Sequence, residues 1–550
     1  KIIISILIVI LAIISIISAK ETHKKRKETN EGKSKYDHFV VIMYENRSFD
    51  HMLGYVSEKY NGVIGKNITN PIPKRYQKEG GKKEVPTATT TEMKQPIPDP
   101  SHGFPYVNTQ VFSTIHPEKN EEDPKNPETP YNRPVDGETC NMKGFVHDYI
   151  LKYYGKHKEY PDYETYSQIM NSFEPEAIPV MSTIAKGFNV ADNYFCSVPS
   201  KTEPNRLFFA AAESEGFVMN HPMNNFLNFT GKTMFEILEE NNISWKIYYD
   251  AEQVLSVTYL LLFSRLEKFW SKTAYMAQFY RDAAEGNLPQ FAFIEPLLTY
   301  NYNDMHPEHF SFGGHSSVMT GEVLLHDIYE AIRTSESPTG SNYTNTLFMT
   351  TYDEHGGIHD HVCPPKAVPP KPKENPGEMG FNFDRLGVRV PSIFVSAYTD
   401  EHSVTTAQLQ HTSVIRTVFD RFGIKENIND RDASAPIIPM EQVQSRDTPR
   451  EPKDWPKTNP RKPTAKNRVK EPLPTYEDNF KVAMDDEQLG YYHMGLSAMH
   501  RMNHPLLEKY MLLKEKHEAS IKATGKPVLL VGHLVQLFAE LRQSLETKYN

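Results

Sequence analysis

The chain has 550 residues, 38% of them hydrophobic and 24% charged, with a formal net charge of −9. That composition fits a globular protein with one large α/β domain carrying insertions, or two domains, and it excludes a general nucleic-acid binder. The three cysteines, Cys140, Cys196 and Cys363, lack the spacing of a thiolate metal site.

Lys1 precedes an unbroken Ile/Leu/Val/Ser/Ala run that ends at Ala19, with Ser18-Ala19 as small residues for cleavage. Residues 1–19 therefore read as a signal peptide, and the protein as secreted or lumenal. The run is also about long enough to span a bilayer, so the alternative is an uncleaved anchor. No later segment is long and apolar enough to cross a membrane. Residues 20–35 form a charged, flexible lead. A secretory route permits one disulfide and leaves one thiol over, with the pairing open. Glycosylation sequons stand at Asn67, Asn228, Asn242 and Asn342. Asn46-Arg47-Ser48 also matches the pattern but falls in the expected site, so it should stay unmodified.

The apolar run 38–43 predicts a buried strand within 36–44. Residues 66–140, rich in Pro, Lys, Thr and Asp, read as a long irregular insertion whose sharp feature is Asp99-Pro100-Ser101-His102. A helix over 178–188 and a strand over 190–195 follow. Next come an amphipathic helix over 233–241, a strand over 244–249 and an apolar strand over 291–294. A helix over 318–334, a buried strand over 346–352, a strand over 388–397 and a helix over 406–422 complete the pattern. This alternation predicts an α/β fold with a mostly parallel central sheet flanked by helices. The catalytic domain is expected over 36–437, a Pro/Lys-rich linker over 438–484 and a helical C-terminal region over 485–550.

Four blocks end apolar runs in residues that handle metals or phosphates. They are 44–50 (Tyr-Glu-Asn-Arg-Ser-Phe-Asp), 99–102, 200–206 (Ser-Lys-Thr-Glu-Pro-Asn-Arg) and 353–357 (Asp-Glu-His-Gly-Gly). In open α/β sheets, sites form beyond the carboxyl ends of strands, so Glu45, Asn46, Asp353 and Glu354 can converge. Three carboxylates and an amide are hard oxygen ligands that suit Ca²⁺, Mg²⁺ or Mn²⁺, with Zn or Fe not excluded. Thr202 reads as the nucleophile at a helix N-terminus, a position that favours anions; the competing reading is a helix cap. His306, His315, His355 and His361 cluster in sequence among Asp and Gly turns, in reach of phosphate or a leaving group. His355, His359 and His361 could alternatively hold a transition metal. Asp50, Arg47 and Arg206 read as support, either arginine being able to pair with phosphate or with nearby acids. Leu260 to Phe263 offer an apolar approach for a lipid, or else an ordinary core helix.

Residues 45–54 (Glu-Asn-Arg-Ser-Phe-Asp-His-Met-Leu-Gly) resemble the opening signature of the phosphoesterase family, which contains bacterial phospholipases C, plant non-specific phospholipases C and a group of acid phosphatases. The other blocks resemble the family's elements in the same order: 99–102, 142–146, 202–206, 303–307, 353–357, 360–362, 387–392 and 431–433. The resemblance covers roughly 36–435 and implies an alkaline-phosphatase-like fold. It implies metal binding by Glu45, Asn46, Thr202, Asp353 and Glu354, with Thr202 forming a phospho-threonine. His102, His306 and His355 would contact phosphate or the leaving group, and Asn205, His315 and His361 are candidates for substrate binding.

Thr at the nucleophile and the helical tail look like the phospholipase C branch, which implies cleavage of glycerophospholipids such as phosphatidylcholine to diacylglycerol and a phosphorylated head group. Such a substrate implies transient contact with a membrane surface. The alternatives are a secreted acid phosphatase acting on soluble phosphomonoesters and an inactive binding protein on the same scaffold. The sequence departs from the family pattern at 310–315, an apparent insertion, and at Ile358-His359, which replace a usually aromatic pair near the expected head-group position.

Overall fold

The computed structural model describes residues 35–113, 139–220, 229–311, 315–371, 377–461 and 483–549. The expected signal segment, nearly all of the charged lead, Asn228, residues 114–138 of the insertion and residues 462–482 of the Pro/Lys-rich stretch lie outside the described residues.

Eight strands form the central sheet: β1 (His38–Tyr44), β2 (Asn189–Ala191), β3 (Trp245–Tyr249), β4 (Thr273–Tyr275), β5 (Phe291–Glu295), β6 (Thr346–Tyr352), β7 (Ser392–Val395) and β8 (Ser403–Thr405). Their spatial order is β8-β2-β7-β6-β1-β5-β3-β4. Only β7 runs against its neighbours, so the sheet is mostly parallel, as expected. The Phe39–Tyr44 stretch of β1 is wholly buried. Its run without polar alternation follows from helices covering both faces, the environment of a central parallel strand.

The elements that matter for function are helices α1 (Phe104–Phe112), α2 (Phe145–His157), α3 (Pro179–Gly187), α4 (Thr202–Ala211), α5 (Ser317–Arg333), α6 (His411–Phe422), α7 (Asp486–Arg501), α8 (Leu507–Thr524) and α9 (Val531–Tyr549). Three predicted elements are shorter than their apolar runs. The strand over 190–195 is interrupted at Asp192-Asn193. The strand over 388–397 starts only after Pro391, which has no N–H to give a ladder. The helix over 406–422 starts at His411, because 403–405 and 409–410 pair as short strands instead.

The insertion is more ordered than its composition suggests. Thr69–Pro71 pairs with Glu84–Pro86, and Ala88–Thr90 with Asn171–Phe173. It builds a second small core in which Val107, Phe145, Ile169 and Ile358 meet. A disulfide joins Cys140 to Cys363 and leaves Cys196 as a buried thiol.

Residues 260–263 are buried, which makes them core and leaves no apolar approach there for a lipid. Side chains of α7 and α9 join the same hydrophobic core as the sheet. Gln488 on α7 donates to Thr299 O (2.6 Å) and Tyr302 Oη (2.9 Å). The first half of the Pro/Lys-rich stretch is docked on the domain: Trp455 stacks edge-on to Phe188 of the core, and Arg450 donates to Gly187 O at 2.7 Å. Among the described residues, no helix is long and apolar enough to cross a membrane.

Candidate active site

Strands β1 and β6 are parallel neighbours in register, with Tyr44 opposite Tyr352. The next residue of each strand is an acid, so Glu45 and Asp353 leave the sheet side by side at its carboxyl edge. Asn46 then turns the chain with φ 59°, a left-handed conformation that asparagine tolerates better than most residues. Its backbone N–H donates to Asp353 Oδ1 (3.1 Å), as does that of Glu354 (2.7 Å).

The loop after Glu354 is held close by two glycines. Gly356 and Gly357 have φ of 64° and 66°. A Cβ at Gly356 would lie 2.1 Å from Asn46 O, and one at Gly357 would lie 2.2 Å from Ser101 O. Glycine is needed at both positions for conformation and for space. The consequence is that three distant blocks, 45–46, 99–102 and 353–357, meet.

Thr202 is the first residue of α4, and Lys201 precedes the helix without a side-chain cap. The threonine hydroxyl is not spent on capping. It donates to Asn46 Oδ1 at 3.3 Å. Asn205 braces this turn: its amide donates to the carbonyls of Val198, Ser200 and Lys201, and its oxygen accepts from Val198 N. These bonds make Asn205 a brace of the turn that carries Thr202.

Arg206, one turn along α4, is buried between the acids. It donates from Nε to Asp353 Oδ2 (3.3 Å) and from Nη2 to Glu45 Oε1 (3.4 Å). A single guanidinium pairs with Glu45 and Asp353, and Glu354 follows Asp353 directly in the chain. Burial pushes Glu354 well above its ordinary range, and the charge of Asp353 adds to the shift. Burial also raises Asp353, with Arg206 opposing. Glu354 Oε1 and Asn46 Nδ2 are buried without a hydrogen-bond partner. Excess buried negative charge and an orphaned carboxylate oxygen fit a divalent cation, and the carboxylate, amide and hydroxyl donors are the hard set that Ca²⁺, Mg²⁺ or Mn²⁺ prefer.

The histidines occupy different places. His102 Nδ1 donates to Pro100 O (3.1 Å), which leaves Nε2 as an acceptor 4.0 Å from Glu354 Oε1. His306 Nδ1 donates to Pro307 O (2.6 Å), and its Nε2 lies 4.0 Å from Asp99 Oδ1. Burial holds both rings well below the ordinary histidine pKa, so both are neutral at pH 7. Asp99 stands between them, 3.9 Å from His102, and burial raises it to about 6.

His355 is fully buried beside Glu354, its Nδ1 3.3 Å from Glu354 Oε2, while its Nε2 bonds Gln110 Oε1 (2.9 Å) and Gln110 in turn donates to Asp148 (2.9 Å). His315 is buried on a two-residue strand, 315–316, that pairs antiparallel with 310–311. His361 sits in another cluster: its Nδ1 is 2.7 Å from Asp50 Oδ2, and Arg389 binds both Asp50 and Asp360 at 3.0 Å. His359 packs edge-on to Phe145, and Ile358 lies in the core of the insertion. The alternative metal site at His355, His359 and His361 is therefore not assembled, and the departure at 358–359 concerns packing.

Other residues of the site were not singled out from the sequence. Ligand atoms of Glu45, Asp304 and His309 lie within 4.8 Å of one another, and His309 Nδ1 is 2.9 Å from Asp304 Oδ2. His309 also stacks on His306, with ring centroids 3.8 Å apart. Asp304 belongs to the same Asn-Asp-Met-His-Pro block as His306, and that proximity in sequence was the available signal. Lys201 Cε lies 3.4 Å from where a Gly103 Cβ would stand, which puts an ammonium group next to His102.

The model of the phosphoesterase family matches residues 36–425 of the chain. Non-specific phospholipase C6 of Arabidopsis thaliana is 31% identical over 540 residues, covering 92% of this chain and 91% of that protein. Non-specific phospholipase C4 of the same plant is 32% identical over 434 residues, covering 76% and 73%. Phospholipase C A of Mycobacterium tuberculosis is 25% identical over 422 residues, covering 70% and 73%. Among solved structures, an alkaline phosphatase superfamily protein from Vibrio parahaemolyticus aligns with a TM-score of 0.29 at 11% identity, over 47% of this chain and 64% of that one.

Proposed function

The chain belongs to the phosphoesterase family and is a hydrolase of phosphoric ester bonds; from that premise we propose a phospholipase C that cleaves glycerophospholipids to diacylglycerol and a phosphorylated head group. The observation that carries this reading is the Thr202 hydroxyl, uncommitted to capping, at a helix N-terminus 3.3 Å from Asn46 Oδ1.

Thr202 Oγ1 gives up its proton, taken up by a neutral histidine Nε2 of the site, and bonds to phosphorus as the bond to the glyceryl oxygen breaks. The helix N-terminus and Lys201 favour the phosphate oxygens. The bound anion raises the proton affinity of the His102 and His306 Nε2 atoms, and a protonated Nε2 gives the leaving alkoxide its proton. The resulting neutral imidazole then takes a proton from the water that hydrolyses the phospho-threonine. Glu45, Asn46, Asp353 and Glu354, with Thr202, would hold a divalent cation; such a cation supplies positive charge that lowers the pKa of the hydroxyl and neutralises phosphate.

A secreted or lumenal location is part of the reading. It is supported by the apolar segment 1–19, by the Cys140–Cys363 disulfide and by the exposed sequon residues Asn67 and Asn242.

The test is product analysis by mass spectrometry. Purified protein is incubated with phosphatidylcholine vesicles, with and without divalent metal, beside Thr202→Ala. Diacylglycerol and phosphocholine, absent with the variant, are the expected products. Hydrolysis of a soluble phosphomonoester with no lipid product would replace this reading by that of a phosphatase.

A further inference from the structure

Helix α2 has an inner and an outer face. On the inner face, Asp148 reaches His355 through Gln110, and Tyr149 Oη donates to Pro98 O (2.8 Å), next to Asp99. Lys156 Nζ is 2.9 Å from Glu308, whose other oxygen accepts from Asp99 N (2.8 Å). The helix thus backs the Asp99 and His355 side of the candidate site.

The outer face carries tyrosines that pack on one another at the surface. Tyr154 stacks on Tyr160 at 4.6 Å between ring centroids, and Tyr76 of the insertion lies 5.0 Å from Tyr160. Tyr154 and Tyr160 stay 39% and 56% exposed, and Ile97, two residues before Asp99, is 37% exposed. These are three of the few large apolar side chains left exposed among the described residues.

Around the rings the charge is reversed relative to the whole chain. Residues 74–83 hold five basic side chains and one acidic, in a protein of net charge −9. Lys82 Nζ lies 4.0 Å over the Tyr163 ring, and Arg75 lies 4.7 Å over Tyr76. Exposed tyrosine rings, interleaved with basic groups, match the boundary between head groups and acyl chains. An acidic protein approaches an anionic bilayer only with its basic face turned toward it.

We propose that this Tyr/Lys surface docks on the interface of an anionic phospholipid bilayer and so brings the candidate site backed by α2 to lipid in the membrane. The proposal rests on the phospholipase reading and adds the face that meets the substrate. Because the rings already stack in the free protein, docking orders few side chains.

The test uses the full chain, with active-site metal present, and vesicles of phosphatidylcholine with and without phosphatidylserine. Sedimentation should show binding that rises with phosphatidylserine and falls at least about tenfold in Tyr154→Ser/Tyr160→Ser. Lys82→Glu/Lys83→Glu, at exposed positions, provides a second variant should the first fold poorly, and it should abolish the gain from phosphatidylserine. Turnover of monomeric short-chain phosphatidylcholine should be unchanged in both. Wild-type binding to vesicles of neither kind would overturn the proposal and leave a protein as the patch's partner. Variants that bind as well as wild type would overturn it too. Short-chain hydrolysis by the wild type reports separately: its absence counts against the phospholipase reading, whatever the vesicles show.

Discussion

Two clusters of buried acids lie beside the same pair of loops, and they are built differently. In the first, Glu45 and Asp353 face Arg206 at 3.3–3.4 Å, and Glu354 Oε1 beside them has no hydrogen-bond partner. In the second, Asp50 and Asp360 face Arg389 at 3.0 Å, Asp50 N donates to Asp360, and His361 and Lys66 close the set. Both hold carboxylates close together, and the second even groups three ligand-type residues within 4.8 Å. Charge balance separates them. The second cluster is a completed ion-pair network; the first has more carboxylates than its one arginine pairs, which fits a divalent cation.

The largest expected effect comes from the first cluster. Thr202→Ala should lower turnover at least about a thousandfold, since a missing nucleophile leaves only binding and electrostatics. Circular dichroism and the metal-free Tm should be unchanged. Near-wild-type turnover would remove Thr202 from the reaction.

Disrupting the second cluster should act on stability instead. Asp360→Asn leaves Arg389 buried with half its charge partners, and unpairing a buried ion typically costs about 3–5 kcal/mol. Urea unfolding measures this, and a variant as stable as wild type would erase the contrast between the clusters.

The mirror experiment is Glu354→Gln. Here removal of a charge relieves burial, so the metal-free protein should gain about 1 kcal/mol of stability, the scale of one pKa unit. The same variant should lose the rise in Tm that divalent metal gives the wild type. A loss of metal-free stability would mean that Glu354 is already balanced.

The smallest effect is a slope with pH. Burial holds Glu354 well above its ordinary 4.5. Between 4.5 and the folded-state value, the native protein binds more protons than the unfolded chain. The metal-free protein is therefore most stable below about pH 4.5 with respect to this group, and it loses stability as pH rises toward the folded value. Metal should flatten the slope, and Glu354→Gln should remove it. Denaturation midpoints across pH, with metal and with a chelator, check both.

Much of the candidate site was legible in sequence because its acids directly follow apolar strands. Glu45 and Asp353 each end a run whose lack of alternation marks a central strand, and parallel pairing then brings their carboxyl ends together. Thr202 was legible for a related reason, being placed just before a helix-opening Pro204. The histidines were less so. His102, His306, His355 and His361 look alike as residues in polar turns, yet the fold leaves the first two with Nε2 acceptors at the site, ties His355 to Gln110 and spends His361 on Asp50.

The sequence by itself determined the α/β class, the strands that end in the acids and the order of the site blocks, because hydrophobic period and turn chemistry are local properties. Only the tertiary structure decided which acids are neutralised, that Asp304 and His309 approach Glu45, and that Cys140 pairs with Cys363. Those outcomes depend on partners tens to hundreds of residues away, whose distance and charge no local pattern encodes.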